Sequence, residues 1–300
     1  MEKIISIKTH FQCNNYCLFC VQGDERFYRK SKSTAEIKKI IEENYQDAKE
    51  IIFTGGEVTL RKDIFDLIKY AREFGYKIIQ VQSNGRMFSS MEFCQKIVNA
   101  GANDFGFALH GSTPELHDTL TRTKNSFIQT ITGINNLRKL NKRVAVTAVL
   151  TKYNFKDLPE IAKLLLALKV SQHQISFIYL NKLIQNDKKL IEEIAPRYSE
   201  VRPYVEQSFS ICKNGGMIVK ADNFPCCTIS KQYHNIICSY NSNIFVFEED
   251  KIINYREAEK EASVKIKPKK CEHCSMRDSC QGIRKHYSDI FGFDEFEPFR

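Results

Sequence analysis

Three cysteines lie within eight residues, Cys13-Asn-Asn-Tyr-Cys17-Leu-Phe-Cys20, spaced C-x3-C-x2-C. The apolar run Ile4, Ile5 and Ile7 leads into them and reads as a short strand. A loop of this length can wrap one cubane, each thiolate taking a different iron. A [4Fe–4S] cluster normally takes four cysteines, so three leave one iron open to another ligand. The same thiols could instead share zinc with a distant Cys or His, or stay reduced. A second group stands near the end of the chain: Cys271, Cys274 and Cys280 in a C-x2-C-x5-C run, with the adjacent pair Cys226-Cys227 upstream. Zinc or an iron–sulfur cluster would suit that set.

Chemistry of this kind needs elements to hold it, and strand and helix patterns alternate after the first cysteine loop. Strands are expected at Ile4–Lys8, Glu50–Thr54, Tyr76–Gln82, Asp104–Leu109, Arg143–Leu150 and His173–Tyr179. Helices are expected after a cap at Ser33 or Thr34 and near Asp63–Phe74, Glu92–Ala100, Phe127–Leu140 and Leu158–Leu168. Such alternation implies parallel strands joined by helical crossovers, an α/β class. Beyond a helix at Tyr198–Phe209 the character changes. Gly215–Lys220 reads as a hairpin strand, and a boundary is expected near residue 210, dividing 1–210 from a small, loop-rich 211–300 that needs a metal to stand.

Thr54-Gly55-Gly56-Glu57 follows the second strand, about 35 residues beyond Cys20. Its glycines let the backbone approach a ligand, and its carbonyls and Glu57 can accept from an ammonium. Ser83-Asn84-Gly85 ends the third strand. With Phe19 just before the third cysteine, these motifs resemble the radical S-adenosylmethionine (SAM) enzymes. The resemblance implies a partial, open (β/α)6 barrel with its active site at the C-terminal strand ends. It implies that Cys13, Cys17 and Cys20 hold a [4Fe–4S] cluster whose open iron chelates the amino and carboxylate groups of SAM. One electron then cleaves SAM to a 5′-deoxyadenosyl radical. Gly55, Gly56 and Glu57 are implied at the amino group, Ser83 and Asn84 near the ribose and methionyl part, and Phe19 beside them. Relatives often carry serine where this chain has Ala108. His110 reads as a polar contact or proton donor, or as a structural histidine; Arg143 reads as a partner for the SAM carboxylate, or as a solvated strand start.

The distal cysteines resemble the C-terminal auxiliary-cluster domain of SPASM and twitch proteins. That resemblance implies one further [4Fe–4S] cluster on Cys271, Cys274, Cys280 and Cys226, with Cys227 as the other choice. Arg284 stands where the two-cluster SPASM pattern has another cysteine. Cys94 reads as core, and Cys212, Cys227 or Cys238 as a hydrogen-atom donor of the kind that radical epimerases need.

Eleven cysteines, no secretory signal at Met1-Glu2-Lys3 and no long apolar stretch point to a cytoplasmic metal or redox protein without a membrane segment. The net charge of +9 suits an anionic partner, or simply solubility. The function expected is therefore a radical SAM enzyme fed by a flavodoxin- or ferredoxin-type donor. A peptide is the first substrate class, by analogy with auxiliary-cluster relatives that crosslink, epimerise or decarboxylate peptides. A nucleotide or other small molecule is the second, favoured by the absence of a leader-binding domain before residue 13. A non-catalytic metal protein holding nucleic acid is a third reading, and it predicts salt-dependent affinity without SAM binding.

Overall fold

The computed structural model describes residues 3–23, 25–179, 187–237, 243–249, 251–258 and 264–300. The six expected strands form as β1 (Lys3–Lys8), β2 (Ala48–Thr54), β3 (Ile78–Ser83), β4 (Asp104–Ala108), β5 (Arg143–Leu150) and β6 (Gln172–Phe177). Three further strands, β7 (Ile218–Asp222), β8 (Asn243–Phe247) and β9 (Ile252–Asn254), complete one sheet in the order 7-6-5-4-3-2-1-8-9. All neighbours through β8 are parallel, and β9 runs antiparallel at the edge. Along β5, Val144, Val146, Ala148 and Leu150 are fully buried under the helices, while Ala145, Thr147 and Val149 are half-buried on the other face.

That other face is concave. Burial, then the Asp104 carboxylate, raise the Glu50 carboxyl, and Arg143 and Lys220 oppose them. Lys220 sits on β7, five strand spacings from β2; a flat sheet would separate the two by about 24 Å. Only a curled sheet brings them within electrostatic reach. The result is a partial barrel.

The hairpin expected at Gly215–Lys220 does not form. The helix Tyr198–Asn214 is instead a crossover, and the Gly215-Gly216 turn feeds β7 into the sheet parallel to β6, with Gln172 opposite Ile218. Adjacent glycines mark a turn, but the partner of the strand that follows is set by tertiary packing. The helix Thr34–Asn44 starts where expected: Ser33 Oγ accepts from Glu36 N–H, and Glu36 accepts from Ser33 N–H.

The segment beyond residue 210 therefore supplies strands to both edges of the sheet. Aromatic packing fastens the rest of it. Tyr198 stacks on Phe177 at 3.9 Å and meets Tyr287 and Phe296, while Phe224 packs on both Phe177 and Tyr198. Phe224 directly precedes Pro225-Cys226-Cys227, so this packing sets where the paired thiols lie. Among the described residues no helix is long and apolar enough to cross a membrane.

Candidate active site

The Cys13–Cys20 loop leaves the C-terminal end of β1 and is tied down from outside. Tyr16 N–H and Leu18 N–H donate to the carbonyls of Thr121 and Leu120 at 2.9 Å each. Its three thiols line one cavity of about 250 Å3. Burial pushes the Cys17 thiol up to about 12, helped by the neighbouring charges of Cys20 and Cys13; burial also raises Cys13. Three crowded thiolates call for a cationic partner, which the irons of a cluster supply. Among the described residues no three metal-binding side chains converge closely enough for a single ion. A cubane is wider and takes each thiolate at a different corner, so the donor set fits it.

Gly55 and Gly56 line the same cavity. They also let the end of β2 press against the cysteine loop. Gly56 N–H donates to the His10 carbonyl and Glu57 N–H to that of Gln12, each at 2.7 Å. A Cβ on Gly56 would stand 2.1 Å from the Gln12 oxygen, and one on Gly55 2.3 Å from the His10 oxygen. Backbone cannot yield there. Gly56→Ala should therefore cost about 2–4 kcal/mol. Urea unfolding would check this, and a midpoint equal to the parent's would contradict it.

Glu57 turns away from the cavity. It is fully buried, and its carboxylate accepts from Thr59 N–H and Oγ1–H, from Ser83 Oγ–H at 2.8 Å and from Asn84 N–H at 2.6 Å. Burial raises this carboxyl, and the four donors oppose the shift. Glu57 thus ties the end of β2 to the end of β3. Ser83 serves the same knot and accepts from Gly85 N–H. Asn84 reaches Asn14 at 2.7 Å, with Cys13 Sγ 4.0 Å away. Of the residues implied at SAM, Phe19, Gly55 and Gly56 line the cavity, whereas Glu57, Ser83 and Asn84 are not among its lining residues.

Opposite them lie Ala108, His110, Thr147, Val149 and Tyr179. His110 packs against the edge of Phe19 at 4.6 Å. Val149 N–H donates to its Nδ1, so the neutral ring carries its hydrogen on Nε2. Burial and His117 hold it far below the usual histidine range, which keeps it neutral. Arg143 does not reach this site. It opens β5 at the opposite end of the sheet and pairs with Asp104 at 2.7 Å. Strand direction is the reason.

Sequence reasoning missed Tyr179 and Gln22. Tyr179 ends the sixth strand run, and its hydroxyl donates to the buried Asp222 at 2.6 Å. Gln22 is 9% exposed and lines the cavity beside Gly55. Cys94 and Cys212 are buried in the core, away from the cavity. Cys238 lies outside the described residues.

The distal thiols also converge. Cys226, Cys227, Cys271, Cys274 and Cys280 line one narrow cavity, with Arg277 among them. Cys226 N–H donates to Cys280 Sγ at 3.4 Å. Hydrogen bonding from Cys226 lowers the Cys280 thiol, whereas burial and the charges of Cys280 and Cys271 raise Cys227 to about 12. Arg277 Nη1 is buried without a hydrogen-bond partner. A stranded cationic donor among five thiols suits an anionic occupant, and a thiolate-bound iron–sulfur core is one.

The model of the radical SAM superfamily matches residues 7–165 of the 300. The Fe-coproporphyrin III synthase of Methanosarcina barkeri is 29% identical over 189 residues, covering 60% of this chain and 46% of that protein. A probable GTP 3′,8-cyclase of Saccharolobus islandicus is 28% identical over 138 residues, covering 45% of this chain and 43% of that protein. The chain thus spans under half the length of these curated relatives. The crystal structure of Streptococcus suis SuiB bound to precursor peptide SuiA superposes with a TM-score of 0.68 at 13% identity, covering 95% of this chain and 72% of that one. The chain is an enzyme of the radical SAM superfamily, a family that implies a [4Fe–4S] cluster and SAM.

Proposed function

We propose that this enzyme reductively cleaves SAM and abstracts a hydrogen atom from a peptide. The observation that carries the radical reading is the meeting of three thiols and two close-approach glycines on one cavity. When bound there, the cluster and SAM supply the 5′-deoxyadenosyl radical. The chain's own residues hold and shield. Cys13, Cys17 and Cys20 ligate the cluster, and Gly55 and Gly56 leave room for SAM. Phe19 and Val149 exclude water, and His110 offers a neutral Nε2–H. Tyr179, anchored on Asp222, stands on the wall contributed by β6. The electron comes from a flavodoxin- or ferredoxin-type donor in the cytoplasm.

We assign a second, auxiliary [4Fe–4S] cluster to Cys271, Cys274, Cys280 and Cys226, in the segment from residue 211 to 300 that also completes the sheet. Cys227 lines the same cavity and is the other choice for the fourth ligand. The peptide reading is supported by the likeness to SuiB, a structure solved with its precursor peptide, which extends over nearly the whole chain. A second reading, a tetrapyrrole or nucleotide substrate, is favoured by the names of the sequence relatives.

Anaerobic turnover separates the two. The reduced enzyme would be mixed with SAM and with a peptide panel, iron-coproporphyrin or GTP, and 5′-deoxyadenosine would be counted. The peptide reading expects one peptide to raise its formation at least about tenfold, a barrier change of about 1.4 kcal/mol. Stimulation by the porphyrin or GTP alone would transfer the assignment to the small-molecule class.

A further inference from the structure

The geometry points to Gln22 and Arg26 as a clamp for the amino-acid end of SAM, Gln22 accepting from its α-amino group and Arg26 donating to its carboxylate. This assignment rests on the reading of the cavity as the SAM site.

Gln22 Nε2 donates to the Gly55 carbonyl at 2.7 Å. That bond fixes the amide: turned over, Oε1 would face another oxygen. Oε1 is therefore the free end, and it is buried without a hydrogen-bond partner. Stranding a buried acceptor is unfavourable unless a ligand brings a donor. Arg26 has the complementary need. Its Nη1 donates to the Asn15 carbonyl at 2.9 Å, and its guanidinium lies over the Tyr16 ring at 4.7 Å. Its Nε–H is buried and unpartnered.

The two residues are four apart. Glu25 N–H donates to the Gln22 carbonyl, closing a turn that passes through Gly23 at a left-handed φ of +46°. Both line the cavity that holds Cys13, Cys17 and Cys20. A free acceptor and a cationic donor lining one cavity match a ligand that carries an amine next to a carboxylate. Within SAM only the methionyl terminus has that pair. The Gly55 carbonyl keeps a second lone pair, so the Gln22 amide adds an acceptor to the one that the glycine turn itself offers.

The test is binding, not turnover. Cluster-loaded parent and variants, matched in iron content, would be titrated with SAM and with decarboxylated SAM, which keeps the amine but lacks the carboxylate. Gln22→Met should weaken both ligands about tenfold, the loss of one charge-assisted hydrogen bond. Arg26→Met should weaken SAM about tenfold and decarboxylated SAM by less than about twofold. Arg26→Lys should recover part of the SAM affinity. Should either methionine variant fail to load iron, Gln22→Leu and the Arg26→Lys contrast between the two ligands carry the same test. Parent-like SAM binding in the Gln22 variant, or equal losses for both ligands in the Arg26 variants, overturns the clamp. An iron-replete parent that binds no SAM would instead overturn the reading of the cavity itself.

Discussion

Replacing Cys13, Cys17 and Cys20 together by alanine should remove about four irons per chain of about eight, and with them every trace of SAM cleavage. The effect is all-or-none because the loop offers no substitute donor. Among the described residues the other thiols lie in the core or in the distal cavity, and His110 already receives Val149 N–H on Nδ1. The loop's outer hydrogen bonds, from Tyr16 and Leu18 to the carbonyls of Thr121 and Leu120, do not involve the thiols. The variant should therefore fold. Iron and sulfide analysis, with EPR spectra of the reduced protein with and without SAM, would check this. A SAM-dependent signal in the variant would contradict the assignment of the cluster to this loop.

The complementary variant, Cys271, Cys274 and Cys280 to alanine, should also lose about four irons while keeping the SAM-shifted signal. Its second consequence is structural. Among the described residues the distal unit is built from the two-residue strands Lys265–Ile266 and Ile283–Arg284, short turns and the two-turn helix Lys285–Phe291, a small amount of regular structure for a metal-free unit. Removing a cluster would leave the Arg277 donor stranded beside an empty hole. We expect the melting transition to fall by roughly 5–10 °C. The aromatic knot of Phe177, Tyr198, Tyr287 and Phe296 should keep the sheet intact. Calorimetry and limited proteolysis would check both statements. If the variant retains all its iron, or the parent holds zinc there, the auxiliary cluster is excluded.

What the sequence by itself determined is what depends on neighbours along the chain. The spacing of Cys13, Cys17 and Cys20, the Gly-Gly-Glu turn after an apolar run, the Ser33 cap and the strand–helix alternation are local patterns. Each sets a loop, a turn or a period within a few residues, and all were legible, together with the family they imply. The tertiary structure alone decided what depends on through-space partners. β7 joined the sheet because β6 had a free edge, a fact that the Gly215-Gly216 turn does not encode. Arg143 fell at the wrong end of its strand for the cavity, because parallel strands place their starts and their ends on opposite sides of the sheet. Glu57 turned inward because Thr59, Ser83 and Asn84 offered it four donors, and a buried carboxylate goes where its charge is solvated. Gln22 stood out only once its amide was seen to bind Gly55 at one end and nothing at the other. No periodicity marks such an atom, because its vacancy arises from residues brought together by folding.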